Sequence, residues 1–137
     1  MIWLIVISFL FYSLNVTGFN VRGFVLVGNS CIKDEPIDLV FWVPYLGGVV
    51  TFIFAPHIGQ WILLGLFVFV NVIFFFSTYR YWIWPNKKKI ARYNKHFSHT
   101  HHIIKPRDNV LVPDTFHIAI FSLFLINLIA VIVYIVV

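Results

Sequence analysis

The chain has 137 residues, of which 61% are hydrophobic and 11% charged, with a mean hydropathy of +0.91. Soluble domains carry about a quarter charged residues, so the composition excludes a soluble globular domain and places the chain in a bilayer. At roughly 20 apolar residues per crossing the length holds one membrane domain of three or four spans, and the net charge of +5 is local, because most of the basic residues fall between Arg80 and Arg107.

The first stretch, Met1 to Val21, contains no Asp, Glu, Lys or Arg. Met1 to Val16 gives about 24 Å of helix, and Asn15, Thr17, Gly18 and Asn20 follow at once. A span over about 1–18 is expected. It lacks the positive n-region and small-residue cleavage pattern of a signal peptide and is read as uncleaved. Residues 18–37 are polar, with Phe19, Val21, Phe24 and Leu26 in partial alternation around Gly23 and Gly28, a pattern that suits a short hairpin or an irregular loop. Lys33, Asp34, Glu35 and Asp38 lie here, read as a solvated loop, as does Cys31, which has no second cysteine to pair with and is read as an ordinary thiol.

The uncharged run from Leu39 to Tyr79 is long enough for two crossings. Pro56-His57-Ile58-Gly59-Gln60 reads as a tight turn inside it, giving spans at 39–55 and 61–83. Tyr79, Tyr81, Trp82 and Trp84 form an aromatic belt at the end of the third span, and Pro85 breaks it. Asn86 then caps a short amphipathic helix with Ile90, Tyr93 and Phe97 on one face and Lys87, Lys88, Arg92 and Lys95 around the other. The last span covers 115–137, with Pro113-Asp114-Thr115 as its start signal.

The fold class is therefore an all-α polytopic bundle of four transmembrane helices, or three if the first segment does not cross. The basic stretch fixes its orientation. Arg80, Lys87, Lys88, Lys89, Arg92, Lys95, Lys105 and Arg107 place the 84–113 loop in the cytoplasm by the positive-inside rule. Four spans then put both termini outside and all ten Lys and Arg inside, in a bacterial-type inner membrane. This basic surface suits an anionic lipid leaflet at about 1 kcal/mol per charge. An acidic cytoplasmic partner is the alternative, and nucleic acid the lesser one, because basic segments beside spans ordinarily serve the membrane.

Within the spans, Gly47, Thr51 and Ala55 repeat at i, i+4, i+8 with Gly48 and Pro44 beside them, a stripe that lets two helix backbones approach closely. The intramembrane polar residues are Thr51, Asn71, Ser77, Thr78, Ser122 and Asn127, with no titratable relay, which disfavours a proton-coupled transporter. Asn71, Ser122 and Asn127 serve either as polar glue between helices or as the lining of a pore. His96, His99, His101 and His102 carry the metal hypothesis, since imidazoles one turn apart can converge on an ion. Their run resembles one histidine box of the membrane desaturases and hydroxylases over fewer than ten residues. Those enzymes need several boxes, and no second cluster exists in the chain. For haem, His57 at the outer turn and His117 at the cytoplasmic end of the last span fall on opposite sides of the membrane and cannot share one group, which leaves His117 with a loop histidine.

No phosphate loop, nucleophile elbow or paired catalytic carboxylate is present, and Asp108 and Asp114 only bracket the approach to the last span. The reading that results is a non-enzymatic membrane protein without a cofactor, assembling through helix contacts with its own copies or with a membrane partner. An oligomeric channel, and a metal- or haem-dependent enzyme, are the alternatives. In layout the chain resembles the short membrane proteins of bacterial conflict systems, such as immunity proteins, and that resemblance implies a specific partner.

Overall fold

The computed structural model describes residues 1–28, 37–107 and 109–137, and for Ile37 and Asp38 the backbone only. Cys31, Lys33, Asp34, Glu35 and Asp108 lie outside the described residues, as does the side chain of Asp38. The chain is mostly helical. Helix α1, Ile2–Thr17, is interrupted at Ser13. A hairpin of β1, Phe19–Val21, and β2, Phe24–Val27, follows. Then come α2, Ile37–Phe54, α3, Pro56–Ile83, the amphipathic α4, Lys87–His96, and α5, Thr115–Val136.

Two helices, α3 with 28 residues and α5 with 22, are long and apolar enough to cross a membrane. They reach about 42 Å and 33 Å. In the most apolar window of each, only 22% and 28% of the residues are buried. Core helices of soluble proteins hide their apolar faces; these present Val68, Phe69, Val72 and Ile73, and Leu125, Ile126 and Ile129, to the outside. The apolar helices α1 and α2 are shorter.

Aromatic rings hold the four apolar helices together. Phe124 of α5 is fully buried, and around it stand Tyr12 of α1, Phe41 and Tyr45 of α2, and Phe67 and Phe74 of α3, with centroids 5.6–5.9 Å away. Such separations suit edge-on and offset ring pairs, which give contact area without hydrophobic drive. Polar side chains tie the same helices. Tyr45 Oη donates to the Ile5 carbonyl at 3.2 Å, and Trp42 Nε1 to Ser13 Oγ at 2.9 Å. Asn127 Nδ2 donates to Ser8 Oγ at 2.6 Å.

One expectation is overturned. Residues 56–60 do not form a turn but open α3, and Ala55 alone separates it from α2. Pro56 stands in the first helical turn, where an N–H would have no partner, so the ring costs nothing there. Gly59 is needed for the fold-back, because a Cβ there would run into the backbone of Phe52. The β1–β2 hairpin departs from an all-α chain, while two local signals hold. Asn86 Oδ1 caps α4 by accepting from Lys89 N at 3.1 Å, and Ile90 is buried beneath it. The hairpin pairs Val21 with Phe24 across Arg22 and Gly23, both with positive φ, a two-residue turn whose twist matches the strands.

Candidate functional site

The hairpin, the end of α4, the 97–114 segment and the start of α5 meet at one end of the bundle. Asp114 organises this end. It is 1% exposed, and its Oδ1 accepts from His117 N at 2.9 Å, capping α5. The same oxygen lies 2.6 Å from His117 Nδ1, and Oδ2 accepts from Thr100 Oγ1 at 2.9 Å. Burial by itself would raise the carboxyl, but the His117 ring, the His117 N–H and the Thr100 hydroxyl outweigh it and hold Asp114 below the usual carboxylate range. An ionised carboxylate only accepts, so Nδ1 of His117 carries a proton. Tyr93 packs nearby, and burial together with the Asp114 charge pushes its phenol up.

The histidine-bearing segment is fastened on both sides. His101 N donates to the Val25 carbonyl of the hairpin at 2.7 Å, and Phe24 packs on the His101 ring at 4.7 Å. His101 also binds the start of α5, through Thr115 N to its carbonyl at 2.9 Å and Nδ1 to Thr115 Oγ1 at 2.7 Å. His102 Nδ1 lies 2.9 Å from the Thr100 carbonyl. Gly28 admits the His99 ring where any Cβ would collide with it.

Beneath this segment is a cavity of about 600 Å³. Its polar end is formed by Asn15, His96, His99, Thr100, Asp114 and His117. Its apolar body runs down between α2, through Val40, Phe41 and Pro44, and α3, through Leu66, Phe69, Val70, Ile73 and Phe74. Val40 and Phe69 are 73% and 59% exposed, so the cavity wall continues into the outer apolar surface of the bundle. Pro44 helps to open it, having no N–H for the Val40 carbonyl one turn back and a short ring in place of a long side chain.

The residues singled out in sequence divide between this site and the scaffold. His96 and His99 line the cavity, whereas His101 and His102 are bonded into the backbone around it. Among the described residues no three His, Cys, Asp or Glu side chains converge to hold a metal ion. Asn71 Nδ2 donates to the Phe67 carbonyl at 2.8 Å and to the Phe124 carbonyl of α5 at 3.3 Å. Asn127 is buried against Ser8, and Ser122 Oγ donates to its own helix at Ile118 O, 2.9 Å away. The close contact of α2 with α3 falls on Gly48, where a Cβ would lie 3.0 Å from Leu63 Cδ2, while Gly47 is exposed and faces open space. Thr51 Oγ1 bonds the Gly47 carbonyl at 2.8 Å, and Ala55 stands at the corner.

Of the described basic residues, Arg80 is half-buried and Arg22, Lys87, Lys88, Lys89, Arg92, Lys95, Lys105 and Arg107 are exposed. Arg80 and Lys89 gather on Tyr81, at 5.0 and 5.4 Å from the ring centroid. Three parts of the site escaped the sequence reading: the Asp114–His117 pair, Thr100 and Gly28. The pair had a visible signal in the i, i+3 spacing of an N-cap acid and a histidine, while Thr100 and Gly28 depend on tertiary contacts alone. No family model, curated protein or solved structure matches this chain.

Proposed function

We propose that this protein is a four-span integral membrane protein that binds an amphiphilic small molecule in the cavity between α2 and α3. Its polar end meets His96, His99, His117 and Asn15, and its apolar end lies along Phe41, Val70 and Phe74. The observation that carries the reading is a cavity of binding-site size, apolar in its body and polar at one end, whose wall is continuous with the outer apolar surface. Such a ligand reaches the site sideways from the bilayer without crossing water. Support for four crossings comes from α1 and α2, which share the Phe124 core with the two long helices, and from the basic residues gathered at the cavity end, which the positive-inside rule puts in the cytoplasm. The hydrogen bonds of Asp114 fasten Thr100 and His117 together at the polar end of the cavity.

The test is photolabelling in nanodiscs with a diazirine-bearing palmitate, with cross-links mapped by peptide mass spectrometry. Labels concentrated on Val40, Phe69, Ile73 and the 96–100 segment, and competed by unlabelled palmitate, are expected. Uniform labelling of every outer apolar face sinks the reading.

A second reading rests on a separate observation. Gly47, exposed on the outer face of α2 with open space where a Cβ would lie and the half-buried Thr51 one turn on, suits the close approach of a helix of another copy. Cysteine cross-linking at Val43 and Val50 in membranes tests it; cross-links that vanish with Gly47→Leu support assembly, and their absence at all positions removes it.

A further inference from the structure

A second groove, of about 710 Å³, lies on the other side of His96 between the end of α3 and the amphipathic helix α4. Its floor is apolar: Val72, Ile73 and Phe76 of α3 are 48%, 44% and 56% exposed and point to the outer surface of the bundle. Its upper edge is cationic. Arg80 comes from the end of α3, and Lys89 and Arg92 from α4. Among the described residues no carboxylate lines the groove, and none of these three cations is in an ion pair.

Two of the cations are held in place. Lys89 Nζ donates to Tyr81 Oη at 2.8 Å and, with Arg80, stands over the Tyr81 ring. The last turns of α3 permit this arrangement, since residues Phe75–Tyr79 form a π-helical segment. The wider turn carries an extra residue and rotates Arg80 and Tyr81 relative to the apolar stripe below, a local device common at functional sites. Fixed cations above an exposed apolar strip match a molecule with an anionic head and hydrocarbon chains.

We infer that the Arg80/Lys89/Arg92 groove is a binding site for one anionic phospholipid, its phosphate among the three cations and its acyl chains along Val72, Ile73 and Phe76. An acidic peptide has no use for the apolar strip, and free phosphate has no use for it either; the lipid alone satisfies both halves. The inference rests on the membrane reading given above but not on the occupant of the first cavity. It differs from general attraction to a charged leaflet by naming three of the basic residues and excluding the others.

Native mass spectrometry of the full chain released from mild detergent tests it, with dioleoylphosphatidylglycerol and dioleoylphosphatidylcholine titrated in parallel. One phosphatidylglycerol adduct is expected to persist where phosphatidylcholine is shed. At about 1 kcal/mol per charge, Arg80→Gln, Lys89→Gln and Arg92→Gln together weaken retention on the order of a hundredfold. Lys87→Gln, Lys88→Gln and Lys105→Gln, an equal loss of charge outside the groove, leave it within about twofold. Equal losses in the two triple variants, or equal retention of the two lipids, overturn the site. So does inorganic phosphate at 10 mM, on the order of bulk anion levels, if it displaces the adduct fully, since the chains would then contribute nothing. Circular dichroism of each variant separates lost binding from lost fold. Release of the wild-type chain from membranes by carbonate would instead defeat the membrane reading itself.

Discussion

Replacing Asp114 dissects the hinge of the site into parts of known size. Asp114→Ala removes the N-cap of α5, a loss of about 1 kcal/mol. It also removes the charge-assisted bond to His117 Nδ1. That bond is 2.6 Å long, but the imidazole is 28% exposed, so solvent screening reduces its worth to about 1 kcal/mol. Thr100 keeps the Phe97 carbonyl as an acceptor at 2.8 Å and adds little. The sum is roughly 2 kcal/mol for alanine. Asp114→Asn retains an oxygen for His117 N and gives up the charge, so about half that loss is expected. Equilibrium unfolding of the detergent-solubilised chain, followed by circular dichroism across a dodecyl sulfate titration, reads both. An alanine variant within about 0.5 kcal/mol of wild type would refute the account. Equal losses for asparagine and alanine would refute the division between cap and charge.

Because the folded Asp114 carboxyl is held below its unfolded value, its contribution is complete above about pH 4 and is lost as the pH falls further; the Asp114→Asn variant is expected to show a smaller acid loss than wild type over that range. Gly59→Leu drives a side chain into the Phe52 backbone and is expected to abolish folding, Gly48→Leu to cost about 1–3 kcal/mol, and Gly47→Leu to leave the monomer's unfolding unchanged; a Gly47 variant as unstable as Gly48 would contradict the assignment of their faces. In a double-mutant cycle, Ser8→Ala and Asn127→Leu are expected to couple by about 0.6 kcal/mol, the usual size of a polar contact between membrane helices, and additivity would deny the bond.

Local signals made the helices legible, and the corner between two of them was not. Asn86 and Asp114 declare helix starts because their side chains cap the backbone within three residues, and the Ile90 face of α4 is a matter of period. Pro56 and Gly59 mislead because a proline and a glycine signal a turn equally when they begin a helix and when they end one. Which applies depends on Phe52, a residue of the neighbouring helix whose backbone the glycine must clear. The glycine pair shows the same limit: Gly47 and Gly48 are equivalent by composition, and the position of Leu63 decides which is buried. For the site, the histidines were conspicuous, but their roles come from contacts across the bundle end. Val25, Gly28 and Thr115 each take up a histidine, and none carries a motif.

How the polar groups are distributed says where function resides. Within the helical body, Ser8, Ser13, Thr51, Asn71, Ser122 and Asn127 all bond a backbone carbonyl of their own or a facing helix. Both Nδ2 hydrogens of Asn71 and of Asn127 are taken up by acceptors, which leaves these amides no donor with which to replace the hydration of an anion. At the hairpin end the balance reverses: imidazoles, a carboxylate and fixed cations stand beside two cavities whose remaining walls are apolar. Selection for stability alone would fill such spaces with side chains, as it does around Phe124. Two recesses of ligand size, each with polar groups at one end and hydrocarbon at the other, are therefore better explained by occupants that are themselves polar at one end and apolar at the other.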